Sequence, residues 1–108
     1  MAKCDLQGSL DLLVLKTLAH RGTLHGYGMV QHIQHASNDL LRVEEGSLYP
    51  ALRRMEQSGW ISSKWLLSEN QRRAKFYELT AAGRRRLRAA EEEFENLSRG
   101  VQALLQFA

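Results

Sequence analysis

The stretch that decides the fold is Gly46-Ser47-Leu48-Tyr49-Pro50-Ala51-Leu52-Arg53-Arg54-Met55-Glu56-Gln57-Ser58-Gly59. Its apolar residues recur at the spacing of a helix face, at Leu48, Leu52 and Met55. This pattern predicts an amphipathic helix from about Ser47 to Gln57. Pro50 then lies in the first turn, where its missing N–H does least harm, and Gly59 ends the helix.

The rest of this helix surface carries hydroxyl, phenol, guanidinium and amide groups. The residues are Ser47, Tyr49, Pro50, Arg53, Arg54 and Gln57. Arginine can pair bidentately with guanine, whereas hydroxyl groups more often bind phosphate. We therefore interpret these six residues as candidate DNA contacts, with an ordinary solvated helix face as the alternative.

The flanking patterns place this helix third among the predicted elements. Upstream, the periodicity predicts helices over Leu10–Arg21, with Ser9 as N-cap, and over Gly26–Ser37, followed by a short extended piece at Leu41–Val43. Downstream it predicts strands at Trp60–Leu66 and Ala74–Leu79, then a long helix capped by Thr80 that runs to about Leu105. The chain is thus predicted to be mainly α with a small β-hairpin: a winged helix-turn-helix followed by a long C-terminal dimerisation helix. The DNA-binding domain is assigned to residues 1–79 and the dimerisation helix to residues 80–108.

The predicted hairpin would form the wing. Its polar loop and the start of its second strand carry the further candidate DNA contacts Asn70, Arg72, Arg73 and Lys75. Adjacent arginines at a wing tip suit contacts with phosphate or with the minor groove, although a loop that promotes solubility is the alternative. We expect Trp60 and Trp65 to be core residues.

The charges are unevenly distributed along the chain. The segment from Arg42 to Arg88 holds 11 basic and five acidic side chains, whereas the formal net charge of the whole chain is only +3. Such a segment favours a polyanionic partner, although a solvated basic surface explains it equally well. Within it, Arg84, Arg85, Arg86 and Arg88 open the last helix, where cations oppose the helix dipole.

The last helix carries an apolar heptad pattern. The positions are Leu87, Ala90, Phe94, Leu97, Val101 and Leu104. Two positions per heptad are typical of a helix that packs against a partner helix. We predict a homodimer interface along these residues, while packing against the first helix of the same chain is the alternative.

Length and composition exclude several classes of protein. A chain of 108 residues corresponds to one domain. A single cysteine, Cys4, cannot form an internal disulfide, and no apolar run is long enough for a membrane span, so we expect a cytoplasmic protein. No catalytic motif stands out. We therefore do not expect an enzyme. The second predicted helix and its start carry three histidines on the predicted solvent side, His25, His32 and His35, without enough nearby carboxylates for a metal site. Neither a metal nor another cofactor is expected. A winged-helix module that binds a protein instead of specific DNA remains the alternative function.

Five blocks of sequence resemble those of one known family. They are Leu24–Gly28, Val43–Leu52, Gly59–Ile61, Asn70–Lys75 and Tyr77–Thr80. In this order they resemble the PadR family of bacterial transcriptional regulators, and the short chain resembles the subfamily with a single C-terminal helix. The resemblance implies a homodimer that binds an operator in double-stranded DNA, most often as a repressor, with Tyr49 and its neighbours facing the DNA. It also implies a small hydrophobic or phenolic effector for some members.

Overall fold

The structure, a computed structural model, describes residues 2–107 of the chain. Along them the elements follow in the order α1 (Ala2–Arg21), β1 (Leu24–His25), α2 (Gly26–Ala36), α3 (Glu45–Gln57), β2 (Ile61–Leu67), β3 (Arg73–Leu79) and α4 (Ala81–Leu105). The strands form an antiparallel sheet in the order β1-β3-β2. The predicted class, mainly α with a small hairpin and a long final helix, is confirmed.

Helix α1 begins earlier than its apolar stripe indicates. It extends from Ala2 to Arg21, so the prediction that Ser9 caps its N-terminus is wrong. Gly8 is the weakest helix former ahead of Ser9, and a single glycine is tolerated within a helix. The stripe itself is correctly predicted, because Leu10, Val14 and Leu18 are all buried in the core.

The small edge strand lies elsewhere than predicted. Leu41–Val43 does not pair with a strand, whereas Leu24 and His25 pair with Tyr77 and Phe76 of β3. A two-residue strand is too short to show an alternating pattern, and its partner lies far away in the sequence. The Nδ1 atom of His25 also accepts a hydrogen bond from the N–H of Gly28 at 2.9 Å and so caps α2.

Helix α3 begins at Glu45, two positions before the predicted start at Ser47. Pro50 therefore lies in the second turn, not the first, and it cannot donate the hydrogen bond that the carbonyl of Gly46 would otherwise accept. The predicted end is confirmed. Gly59 has a φ of +81°, a left-handed conformation that glycine adopts without strain, and the chain turns there into β2.

The core lies between α1, α2, α3, the sheet and the first turns of α4. Its fully buried large side chains are Val14, Leu15, Leu18, Met29, Leu48, Leu52, Met55 and Ile61. Leu87 of α4 joins this cluster, and the hydroxyl of Thr80 accepts a hydrogen bond from the N–H of Gly83, which confirms Thr80 as the cap of α4. The first part of α4 is thus packed onto the winged domain, and the division of the chain at residue 80 stays a prediction.

Candidate nucleic-acid interface

Helix α3 buries one face and exposes the other. Leu48, Ala51, Leu52 and Met55 are buried, while Ser47, Tyr49, Pro50, Arg53 and Gln57 are exposed. The apolar face holds the helix on α1 and the sheet. The exposed face therefore presents the polar groups that the sequence pattern selected, with the exception of Arg54.

Arg54 has a partner inside the protein. Its Nη1 and Nη2 atoms each donate to a carboxylate oxygen of Asp11 at 2.9 Å, in the bidentate geometry that makes such pairs strong. The hydrogen bond to Asp11 raises the pKa of Arg54 above its usual value. Asp11 is itself buried in α1. Because the guanidinium fork is occupied, Arg54 joins α3 to α1, and the predicted DNA contact competes with this pair.

Tyr49 lies against the start of α2. A Cβ atom placed on Gly26 would come within 2.7 Å of the Tyr49 hydroxyl, so only glycine permits this approach. Burial raises the pKa of the Tyr49 phenol, and Glu45 and Tyr77 raise it further. The phenol is thus neutral at physiological pH, and its O–H is available as a donor at the junction of α2 and α3.

The wing extends the sheet beyond the core. Its loop is closed by a hydrogen bond from the N–H of Ser68 to the carbonyl of Arg72 at 2.7 Å, with Gln71 at a φ of 63°. Asn70, Arg72 and Arg73 are exposed, as a contact with DNA requires.

Glu56 connects the wing to α3. One carboxylate oxygen accepts a hydrogen bond from the Ser63 hydroxyl at 2.6 Å, and the other lies 3.5 Å from the Lys75 ammonium group. Lys75 is thus half-buried and lies in an ion pair with Glu56. The bridge holds the wing in a defined position beside the exposed face of α3.

The two tryptophans occupy different environments, and the prediction that both are core residues is wrong for one of them. Trp60 is half-buried under the guanidinium group of Arg86, which lies 5.3 Å from the ring centroid. Trp65 is 57% exposed on the wing. The sequence of β2 indicates a strand but does not indicate that the strand extends beyond the core, where Trp65 lies.

The predicted dimer residues fall into two groups. Leu87 and Ala90 are buried at 6% exposure each, within the chain's own structure. Phe94, Leu97, Val101 and Leu104 are exposed, together with Leu105 and Phe107. The first half of α4 therefore packs within the chain, as the alternative interpretation of the heptad pattern holds, while the homodimer interface stays a prediction for the exposed half.

An open apolar groove of about 610 Å³ lies between α1, α2 and α4. Its apolar lining includes Leu12, Leu13, Ile33, Leu41 and Phe94. On its rim, Lys16 pairs with Glu91 at 2.8 Å. The groove thus lies directly beside the exposed part of α4.

Histidines line one end of the groove. The rings of His20 and His32 have centroids 5.6 Å apart, and Nη1 of Arg21 lies 3.3 Å from Nδ1 of His32. Burial lowers the pKa of His32, and the positive charges of Arg21, His20 and His35 lower it further. The prediction that the histidines lie on the solvent side is wrong for His25, which caps α2, and for His32, which is half-buried.

Within residues 9–107, the part of the chain whose side chains the structure describes, histidine, cysteine, aspartate and glutamate side chains do not come together in groups of three that could hold a metal ion. None of its helices combines the length and the apolar character needed to cross a membrane.

Comparison with known proteins gives consistent matches over most of the chain. The model of the "Transcriptional regulator PadR-like family" matches residues 14–89. The structure of a transcriptional regulator from Clostridium thermocellum is similar, with a TM-score of 0.84 at 26% identity, over 94% of this chain and 97% of that one.

Two further solved structures carry the family description. A PadR family transcriptional regulator from Eggerthella lenta is 31% identical with a TM-score of 0.77, over 99% of this chain and 91% of that one. A PadR-like transcriptional regulator from Bacillus cereus is 26% identical with a TM-score of 0.75, over 100% and 98% of the two chains. The similarity thus includes α4 as well as the winged domain.

Proposed function

The chain belongs to the PadR-like family of transcriptional regulators, and we propose that it acts as a homodimeric repressor that binds a pseudo-palindromic operator in double-stranded DNA. The observation that carries the proposal is the bridge made by Glu56. By bonding Ser63 and Lys75, this residue of α3 holds the wing beside the exposed face of α3. A helix that enters the major groove and a wing that contacts the DNA backbone must keep a fixed position relative to each other. Such a protein would act in the cytoplasm, where the sequence led us to expect it.

We assign the exposed residues of α3 to two kinds of contact. Arg53 reads a base edge, because its exposed guanidinium can pair bidentately with guanine. Ser47, Tyr49, Pro50 and Gln57 lie along the same face, and the hydroxyl groups of Ser47 and Tyr49 bind phosphate. Arg54 holds α3 against Asp11 instead of reading a base.

The wing contributes charge that does not depend on the base sequence. Asn70, Arg72 and Arg73 are exposed at its tip and bind the DNA backbone. Lys75 adds positive charge beside α3, although Glu56 partly neutralises it. Wing contacts of this kind raise affinity for all DNA, whereas contacts by Arg53 raise it for the operator.

The homodimer is supported by apolar surface that one chain leaves exposed. Phe94 and Leu97 are 50% and 53% exposed, and Val101 and Leu104 continue the same stripe. An exposed apolar stripe beside an open groove is typical of a protein interface. We propose that this stripe packs against the groove and α4 of a second copy.

The groove also fits the small hydrophobic or phenolic effector that the family resemblance implies. Its lining is apolar, and Lys16, His20 and His32 on its rim could meet an acidic or phenolic group. The effector would then occupy space beside the dimer interface and change the relation between the two α3 helices. Binding of a simple phenolic acid would raise the melting temperature of the parent chain and lower its affinity for the operator.

The experiment that tests the function is selection of bound fragments from random duplex DNA. A pair of inverted half-sites, with centres about 34–36 Å apart or a multiple of that distance, would support the proposal. Arg53→Ala should lose preference at one position per half-site, while Arg99→Ala, a charge-matched change on the exposed surface of α4, should not. Recovery of fragments without a shared sequence would favour the alternative, a winged-helix module that binds a protein.

A further inference from the structure

Trp65 is a large apolar side chain that the wing leaves exposed. The side chain is 57% exposed on β2, and its neighbours Leu66 and Leu67 are exposed as well. Large apolar side chains on a wing cost solubility, so a tryptophan there calls for an explanation. Its immediate surroundings provide one.

The guanidinium group of Arg73 lies over the ring of Trp65. The distance from its central carbon to the ring centroid is 5.3 Å, within the range of about 6 Å for a cation–π contact. Trp65 lies directly opposite Lys75 in the hairpin and Arg73 lies opposite Leu67, so the two residues are diagonal neighbours. Diagonal neighbours across two strands are within reach of aromatic and long side chains.

This pair lies on the face of the hairpin that continues from α3. Residues that pair across antiparallel strands share a face, and side chains alternate along each strand. Trp65 and Arg73 therefore share a face with Ser63 and Lys75, both of which contact Glu56 of α3. Leu66 lies on the opposite face of the same strand.

We propose that Trp65 is a positioning residue for DNA binding: its ring holds the guanidinium group of Arg73 on the α3 side of the wing, ready to contact a phosphate. The inference rests on the proposed DNA-binding function and adds a role to a residue outside the predicted set. An arginine that is held before binding loses less conformational freedom when it meets the phosphate. Arg72 lies in the loop beyond the sheet, so its contribution is independent of Trp65.

The test compares Trp65→Leu, Trp65→Phe and Leu66→Ala in the full chain, on the selected operator. Trp65→Leu removes the aromatic face and should weaken binding by about twofold to fivefold per wing, or about fourfold to twenty-five-fold for a dimer with two wings. Trp65→Phe keeps an aromatic ring and should restore part of the loss. Leu66→Ala removes apolar surface from the opposite face and should bind like the parent.

A double-mutant cycle distinguishes positioning from a direct contribution. If Trp65 acts through Arg73, the loss caused by Trp65→Leu disappears in an Arg73→Ala background but persists in an Arg72→Ala background. Thermal melts of each variant check that the fold is kept. The slope of log Kd against log salt should fall with Arg73→Ala and fall less with Trp65→Leu, since the charge remains.

Two results would overturn the inference while leaving the proposed function intact. One is operator binding by folded Trp65→Leu equal to that of the parent. The other is a loss for Leu66→Ala as large as that for Trp65→Leu, which would indicate a general apolar contact. If the parent chain itself binds no duplex DNA, the proposed function fails as well, so the two failures are distinguishable.

Discussion

The proposed DNA-binding face and the second half of α4 differ in how far their contacts are completed within a single chain. On the DNA side, the supporting contacts all lie within the protein: Asp11 holds Arg54, Glu56 holds the wing, and Gly26 receives Tyr49. On α4, Leu87 and Ala90 are buried, yet the same heptad pattern continues into exposed Phe94 and Leu97. The proposed DNA-binding surface is therefore supported by contacts within one chain, whereas the exposed half of α4 leaves apolar side chains that the proposed second copy would cover.

This contrast assigns different tasks to the two regions. A preformed polar face can bind DNA without first ordering its side chains, which favours affinity. A contiguous exposed apolar stripe is typical of a protein interface, which under the proposed function favours association of two copies. We therefore expect substitutions on α4 to act on assembly first and on DNA binding only as a consequence.

The largest effect is expected from replacing Phe94 and Leu97 together by serine. Loss of the apolar stripe should convert the dimer into a monomer or unfold the chain, because these side chains are the centre of the proposed interface. Apparent operator affinity should then fall by about 10²–10⁴, since two linked half-site contacts become one. Multi-angle light scattering measures the assembly and a gel-shift titration measures the affinity.

Arg88→Ser serves as the control for this change, because it alters an exposed residue in the packed half of α4. It should leave the mass in solution unchanged. A parent chain that is monomeric in light scattering would show that the exposed stripe is not a dimer interface.

A smaller effect, on stability, is expected from Asp11→Ala. The change leaves the Arg54 fork without its carboxylate and should lower the free energy of unfolding by about 1.5–3 kcal/mol. Chemical denaturation measures this quantity. Glu92→Ala, which removes an exposed carboxylate of α4, should change stability by no more than about 0.5 kcal/mol. Equal stability of the two variants would mean that the Asp11–Arg54 pair does not stabilise the packing of α3 on α1.

The sequence predicted most of the elements because their apolar stripes are regular. The buried face of α3, the cap at Thr80 and the turn at Gly59 all follow from local chemistry and were confirmed. The start of α1 and the strand at Leu24–His25 were missed. The first lies beyond the apolar stripe, and the second is defined by pairing with residues distant in the chain.

The candidate site was only partly predictable. The position of a residue on a helix wheel predicts its exposure, but not whether it pairs with a residue of another element. Arg54 lies on the polar side of α3, yet it pairs with Asp11 from another helix. A signal was present, because an aspartate next to Leu10 in an apolar stripe needs a partner. Glu56 and Trp65 gave no comparable signal, because their roles depend on how far the hairpin extends beyond the core.

A third prediction separates base reading by Arg53 from phosphate binding by Tyr49, two exposed residues of α3. Arg53→Ala should lower operator affinity by about 1–3 kcal/mol and relax selectivity at one position per half-site, because it removes a bidentate base contact. Tyr49→Phe should cost less and act on all sequences alike, since it removes a bond to phosphate. Fluorescence anisotropy on operator and random DNA measures both losses, with melting curves as the check of folding. Parent-like binding of both DNAs by Arg53→Ala would exclude α3 as the reader of the sequence.

The smallest effect is expected when the pH falls, on the stability of the chain and of the proposed dimer. It is expected at the groove that would receive the second copy. Burial lowers the pKa of His32, with further lowering by Arg21, His20 and His35. The groove also presents Lys16, Glu91 and Glu95, of which Lys16 and Glu91 neutralise each other.

Because the folded chain holds the pKa of His32 below the ordinary value of 6.5, the unfolded chain takes up a proton first as the pH drops. Stability from this source is therefore intact above about pH 6.5 and declines as the pH falls below it, until the folded His32 is protonated as well. His32→Gln should reduce the loss of melting temperature between pH 7.5 and pH 5.5, whereas His35→Gln, at an exposed position, should change it less. If a second copy covers the groove, it buries His32 further, so acidification should also weaken the dimer of the parent more than that of His32→Gln. A dimer whose dissociation constant has the same pH dependence in both proteins would place the interface away from the groove and leave α4 alone to form it.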